Sequence, residues 1–289
     1  MDMELSGAQI LGLSTTQRNP VETQGNIAQS RLVPLSLEDK ILTIMYDTIQ
    51  EFPYLGAMLD RLDKKVPSDR TFHNRAHTIE VVYHTTFHAL LAGESESVIK
   101  ALVKAAVYHD ASHLIPDVKG SDHEPTAARL AREDMSAAGE PADEIERVCN
   151  AILDTQLIKI EETNTREQQK GSEFSKYLLD GDLSSFGSRK FFFGALNYWT
   201  ELSGSTVTSF QDLKGQKALD YLRETWRLID NHRWQTVPRD DQGSHAYQDG
   251  KAVNLVNLAE LIDALEKGDD SRAEEQFKKM TFDPRSVLH

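Results

Sequence analysis

An all-α, single-domain helical bundle is the fold class that the sequence predicts. Three observations predict it. Apolar residues recur three and four positions apart through most of the chain, as they do on the buried face of a helix. The apolar–polar alternation of a half-buried strand is nearly absent. No internal repeat and no linker divides the 289 residues into two units.

The elements follow in order. Residues 1–34 are rich in Gln, Ser, Thr, Asn and Gly and lack periodicity, so they are expected to be a disordered or loosely packed N-terminal segment. The ordered region, 35–289, begins with Ser36 and Asp39 in a capping arrangement. Ile41, Leu42, Ile44, Met45 and Ile49 then share a helical face. Thr78 to Leu91 carries Ile79, Val82, Tyr83, Thr86 and Leu90 at the same spacing. Ser97 to His109 carries Val98, Ala101, Leu102, Ala105 and Ala106, and Glu124 to Ala137 carries Ala127, Ala128, Leu130, Ala131 and Met135. The stretch from Pro141 to Leu157 opens with a proline suited to a first helical turn and continues through Ile145, Val148 and Ile152. Further helices are expected over 173–183, 188–203, 211–232, 252–267 and 269–280, the last of them a C-terminal extension. Residues 111–123 read as a loop with Pro116 and Gly120. Residues 159–172 read as an exposed connection, and 233–251, with Pro238, Gly243 and Gly250, as a long surface loop.

Bulk properties exclude some partners. A net charge of −14 and a pI near 5.2 repel nucleic-acid phosphates and anionic membranes. No apolar run approaches the roughly 18 residues of a membrane span. Asp2 and Glu4 replace the positive start of a secretory signal, so none is expected. A single cysteine, Cys149, permits no internal disulfide and fits a reducing cytosol. Cytoplasmic placement is therefore expected, with Cys149 as a buried core thiol. A small anionic substrate remains compatible with this surface if a bound metal supplies local positive charge. Self-association into a homo-oligomer is compatible with it too.

The residues that carry chemistry stand at helix ends. His109-Asp110 follows Ala105, Ala106, Val107 and Tyr108. An aspartate there is costly to bury unless something pairs with it, and a divalent cation would satisfy both side chains. Upstream lies Phe72-His73-Asn74-Arg75-Ala76-His77-Thr78, with two histidines four apart. Downstream, Asp180-Gly181-Asp182-Leu183 ends another apolar stretch. His84 and His88 share the helix of His77. Two turns, roughly 10 Å of rise, separate His84 from it, too far for one ion. They read as packing or surface residues. Phe191-Phe192-Phe193 with Tyr198 and Trp199 reads first as core. His232 and His245 receive no role. Lys104, Lys119 and Arg75 read as scattered charges, with Arg75 inside the histidine motif a further candidate for a phosphate contact.

The order His, His-Asp, Asp resembles that of the HD superfamily of metal-dependent phosphohydrolases, over roughly residues 70–190. Finer details are similar to class I cyclic nucleotide phosphodiesterases: His73-Asn74-Arg75-Ala76-His77, His109-Asp110-Ala111-Ser112-His113 and Asp182-Leu183-Ser184. His123-Glu124 at the head of a helix is similar to a group of uncharacterised bacterial HD proteins. The resemblance implies an HD-domain/phosphodiesterase-type bundle. It implies one or two divalent ions (Zn, Mn, Mg or Fe) on His77, His109, Asp110 and Asp182. It makes His73 the general acid, places His113 beside the bridging water, gives Asn74 a positioning role and has Glu124 orient a ligand or water. The implied activity is hydrolysis of a small phosphorylated substrate, a phosphomonoester or phosphodiester, nucleotides included. Alternatives are an HD-type di-iron oxygenase and a metal-containing ligand-binding module without turnover. The oxygenase pattern has a further histidine where this chain reads Asp154-Thr155-Gln156. Neither Gln211 nor Gln216 stands in the context of the phosphodiesterase glutamine that clamps a cyclic nucleotide.

Overall fold

The computed structural model describes residues 35–67, 69–160, 165–236 and 244–281. The expectations for residues 1–34, Pro238, Gly243 and the side chain of His245 lie outside the described residues. Among those described, the elements are α1 (Leu37–Glu51), α2 (Pro53–Lys65), α3 (Arg75–Leu91), α4 (Glu96–Tyr108), α5 (His123–Ala137) and α6 (Ala142–Asp154). A hairpin of β1 (Leu157–Ile160) and β2 (Thr165–Gln168) follows. Then come α7 (Lys176–Asp182), α8 (Phe191–Ser203), α9 (Gln216–Asn231), α10 (Ser244–Lys267) and α11 (Asp270–Thr281). The structure is mostly helical, and among the described residues no helix is long and apolar enough to cross a membrane.

Local chemistry explains most boundaries. Ser36 and Asp39 form a reciprocal capping box at the start of α1. Helix α2 was not expected from periodicity over the whole segment. It starts on Pro53 and buries Leu55, Met58, Leu59 and Leu62, a complete helical stripe. Helix α8 ends at Gly204, whose φ of 69° is the left-handed conformation that closes a helix. Two expectations need correction. The 159–172 connection contains the end of β1 and all of β2, and α6 stops at Asp154, short of the Leu157 expected, where β1 begins. Leu157 pairs with Gln168 and Lys159 with Arg166 in antiparallel register. The surface loop expected over 233–251 gives way to helix at Ser244, because α10 packs onto the Ser184–Gly187 turn. There Asn254 Nδ2 donates to the carbonyls of Phe186 and Ser188 at 2.9 and 2.8 Å.

Burial divides the bundle into two main apolar clusters. The first gathers α1 to α6 around Ile41, Leu55, Val103, Val107, Ala131 and Ile152, with Cys149 inside it as expected. The second gathers α8 to α11 around Phe192, Leu222, Leu258, Leu261 and Phe277. Phe191 and Phe192 are core residues as expected, but Phe193, expected with them, is 42% exposed because it falls on the outer face of the helix. Helix α7 joins the two: Leu178 belongs to the first cluster and Leu183, just past its end, to the second.

Lys104 is not a scattered surface charge. It is 1% exposed, in the middle of α4. Its Nζ lies 2.9 Å from Glu140 Oε2, 2.6 Å from Glu144 Oε1 and 3.6 Å from the centre of the Phe52 ring. Two carboxylates and an aromatic face compensate the loss of water. Lys104→Ala would strand Glu140 in the interior. It is expected to cost about 3 kcal/mol of unfolding free energy in denaturant titrations. A change under about 0.5 kcal/mol would show that the pair does not hold the turn before α6.

Candidate metal centre

The backbone brings three helix ends to one point. Helix α3 begins at Arg75, so His77 lies in its first turn. Asn74 caps that turn, accepting from Ala76 N at 2.9 Å and His77 N at 3.3 Å. Its amide nitrogen donates to the Thr71 carbonyl at 2.9 Å. Both ends of the Asn74 amide are thereby occupied. Asn74 thus fixes where His77 points.

At the end of α4 the helix lets go between two neighbours. His109 keeps helical dihedrals (φ −51°, ψ −38°), whereas Asp110 does not (φ −107°, ψ 13°). That turn brings adjacent side chains, which would diverge by about 100° on a straight helix, toward the same space. Asp182 arrives on the last turn of α7. This approach depends on Gly181: a Cβ there would fall 2.2 Å from Thr85 Oγ1 and 2.9 Å from its amide nitrogen. Only a glycine lets α7 lie this close to α3.

Ligand atoms of His77, His109 and Asp182 all lie within 4.8 Å of one another, a group able to hold an ion, and Asp110 borders both imidazoles beside it. His77 Nε2 lies 3.4 Å from Asp110 Oδ2 and 3.5 Å from Asp182 Oδ1. His109 Nε2 lies 3.1 and 3.5 Å from the same two oxygens. Ligands about 2.0–2.2 Å from one ion stand about this far apart. The His109 ring is oriented from behind, with Nδ1 2.7 Å from the Ala106 carbonyl, which accepts its proton. Nε2 is therefore the lone-pair nitrogen in the neutral ring. It is buried, with the Asp110 oxygen 3.1 Å away and no hydrogen bond of good geometry made to it. A donor set of two imidazoles and two carboxylates, one nitrogen of it orphaned, fits a divalent cation.

Electrostatics point the same way. Burial alone would lower His77, but the Asp110 and Asp182 carboxylates outweigh it and raise the imidazole to about 9. Burial lowers and the same carboxylates raise His109, with a net rise well above its ordinary value. Burial works against Asp182, yet the two histidines hold it near 2. Without a cation, protons on the histidines balance the carboxylates. A cation must displace them, so its affinity is expected to fall as pH drops below about 9, by up to tenfold per unit for each proton released. Calorimetry in buffers of different ionisation enthalpy would count the protons. Affinity independent of pH between about 7 and 9 would contradict this exchange.

The same groups set the stability of the metal-free chain. His77, raised from 6.5 to about 9, contributes stability that is full below 6.5 and lost as pH rises through 9. Asp182, lowered from 3.8 to about 2, contributes stability that is present above 3.8 and lost as pH falls through 2.

A second group lies alongside. His73 Nδ1 is 2.7 Å from Glu201 Oε1. Glu201, on α8, also accepts from the amides of Phe72 and His73 at 3.1 and 3.2 Å and from Arg70 Nη1 at 3.0 Å. Its side chain is 2% exposed. Burial would raise its carboxyl, but His73 and the two amides bring it to about 2. His113 stacks on His73 with ring centres 4.0 Å apart and planes 6° from parallel. His123 stacks on the other face of His113 at 4.4 Å and bonds Ser112 Oγ through Nδ1 at 2.9 Å.

His73, His113 and Glu201 are also close enough to share an ion. The stacking argues against it, because nitrogen lone pairs lie in their own ring planes and parallel rings cannot aim at one point between them. Burial, with a smaller effect from His73, keeps His113 neutral, with its imidazole at about 3. Its Nε2 is 4.0 Å from Asp110 Oδ1. Comparison with known proteins finds no family model and no curated protein that matches this chain.

The remaining expectations can be placed. Glu124 is half-buried; Gln156 donates to it at 3.4 Å. Burial first, then the charges of Asp110 and Asp182, raises its carboxyl. Burial, then Lys190, lowers His84 to about 4; burial, then His84, lowers His88 to about 3. Both are neutral packing residues away from the four-residue centre. His232 is buried against Phe186 and Trp234. Arg75 Nε is buried without a hydrogen-bond partner. Glu201 and Arg70 were not found by sequence reasoning. Tyr198, expected in the core with a substrate-stacking wall as the lesser reading, packs its ring against His73 at 5.3 Å.

Proposed function

We propose that this chain is a metal-dependent phosphohydrolase of HD type, acting on a phosphate ester. The observation that carries the reading is the convergence of His77, His109, Asp110 and Asp182 around the orphaned Nε2 of His109. When bound, a divalent ion (Zn, Mn, Mg or Fe) would polarise a phosphoryl oxygen and acidify the attacking water. His73 supplies the other half of the chemistry. Glu201 accepts the hydrogen on His73 Nδ1 and orients the ring, so that in the doubly protonated imidazolium form Nε2 delivers the proton. In hydrolysis the water oxygen bonds phosphorus and the P–O bond to the leaving group breaks. His73 protonates the departing oxygen and is reprotonated with the proton that the water gives up.

The pairing of His73 with Glu201 and the parallel stack on His113 favour acid–base work over a second, histidine-rich metal site. This weighs against the di-iron oxygenase reading, as does the absence of histidine over Asp154-Thr155-Gln156. The test is a panel of phosphomonoesters and phosphodiesters, cyclic nucleotides included, assayed with protein loaded in turn with each ion. The expected result is metal-dependent release of phosphate or alcohol from at least one class. Metal binding with no turnover of any ester would favour a ligand-binding module and overturn the hydrolase reading.

A further inference from the structure

In a chain of net charge −14, positive charge gathers beside His73. Arg70 is committed to Glu201. Arg166, on β2, is not part of that pair. Gln168 Nε2 donates to the Leu179 carbonyl of α7 at 2.6 Å, so this face of β2 is turned toward the helix that carries Asp182. Residues two apart on a strand share a face, and Arg166 therefore lies on the same one. Lys159 is its cross-strand partner and projects on that face too. The Arg166 guanidinium comes close enough to the Tyr198 hydroxyl to favour its ionised form, although burial, the larger influence, raises it. Glu201 and Asp110 act on the same hydroxyl from the other direction. Tyr198 in turn meets the edge of His73.

These contacts place Arg166 beside Tyr198, next to His73. A general acid must stand at the oxygen it protonates. A leaving group that extends past His73 on its Tyr198 side would reach Arg166. We propose that Arg166 is a specificity residue that selects substrates whose leaving group carries an anionic group of its own, a phosphate or carboxylate. The proposal rests on the phosphohydrolase reading above. A guanidinium suits such an oxyanion because its planar donors match two oxygens at once.

Binding tests this separately from turnover. Butylphosphonate and its analogue ending in a carboxylate, at two chain lengths, are titrated into metal-loaded protein by calorimetry. The carboxylated probe is expected to bind about tenfold more tightly at one length or both, and Arg166→Ala to erase that preference. Arg166→Lys, which keeps the charge, should restore part of it. Equal affinities for both probes, or a preference that survives Arg166→Ala, would overturn the proposal. A preference lost in Arg166→Ala, with no ester hydrolysed by the wild type, would uphold the anion subsite and sink the hydrolase reading.

Discussion

Asp110→Ala is expected to fold, to purify without its metal and to hydrolyse no phosphate ester. Asp110 is the residue on which the centre turns: one oxygen faces both imidazoles, 3.1 Å from His109 and 3.4 Å from His77. Removing it takes away one anionic ligand and the oxygen that faces both imidazoles, which weakens the hold on a cation. The fold should survive, because the carboxylate is 20% exposed and lies past the end of α4 rather than within the core. Removing a group that merely orients a ligand typically costs 10- to 100-fold in metal affinity, so loss of a ligand should exceed about 100-fold. Elemental analysis of the purified variant, beside circular dichroism to verify folding, checks this. Full metal retention would show that Asp110 is not a ligand.

His73→Ala is expected to separate the two halves of the site. Its metal content should match that of the wild type, because its Nδ1 is held by Glu201 rather than by the metal ligands. Turnover should fall by about 10²- to 10⁴-fold for esters with poor leaving groups, the range of general acid catalysis. For a nitrophenyl ester, whose leaving oxygen needs little help, the loss should be much smaller. That contrast between substrates is the diagnostic. An equal loss on both would assign His73 a role in binding. Loss of metal would move it into the coordination sphere.

Much of this arrangement was legible in the sequence, for a physical reason. The metal-binding candidates stand at helix ends, where an apolar run stops and an ionisable pair begins, as at Tyr108-His109-Asp110. Burial cost makes such positions conspicuous. The helical character was legible from the same periodicity. Glu201 was not, because it lies 128 residues from His73 on the far end of an aromatic helix and carries no local mark. Only the tertiary fold reveals that its charge is spent on two amides, an imidazole and a guanidinium. Lys104 was misread for the opposite reason. It interrupts a run in which Ala101 to Tyr108 are otherwise all apolar and buried, and that interruption already pointed to a buried ion pair. The β1–β2 hairpin escaped because four-residue strands with partly exposed faces show too little alternation to separate from a polar connection.

The most direct test of the account is X-ray absorption spectroscopy of the metal-loaded protein. The account predicts a coordination sphere holding two imidazole nitrogens and two carboxylate oxygens at about 2.0–2.2 Å, with any remaining positions filled by water. A sphere with three or more imidazoles, or with fewer than two, would contradict it.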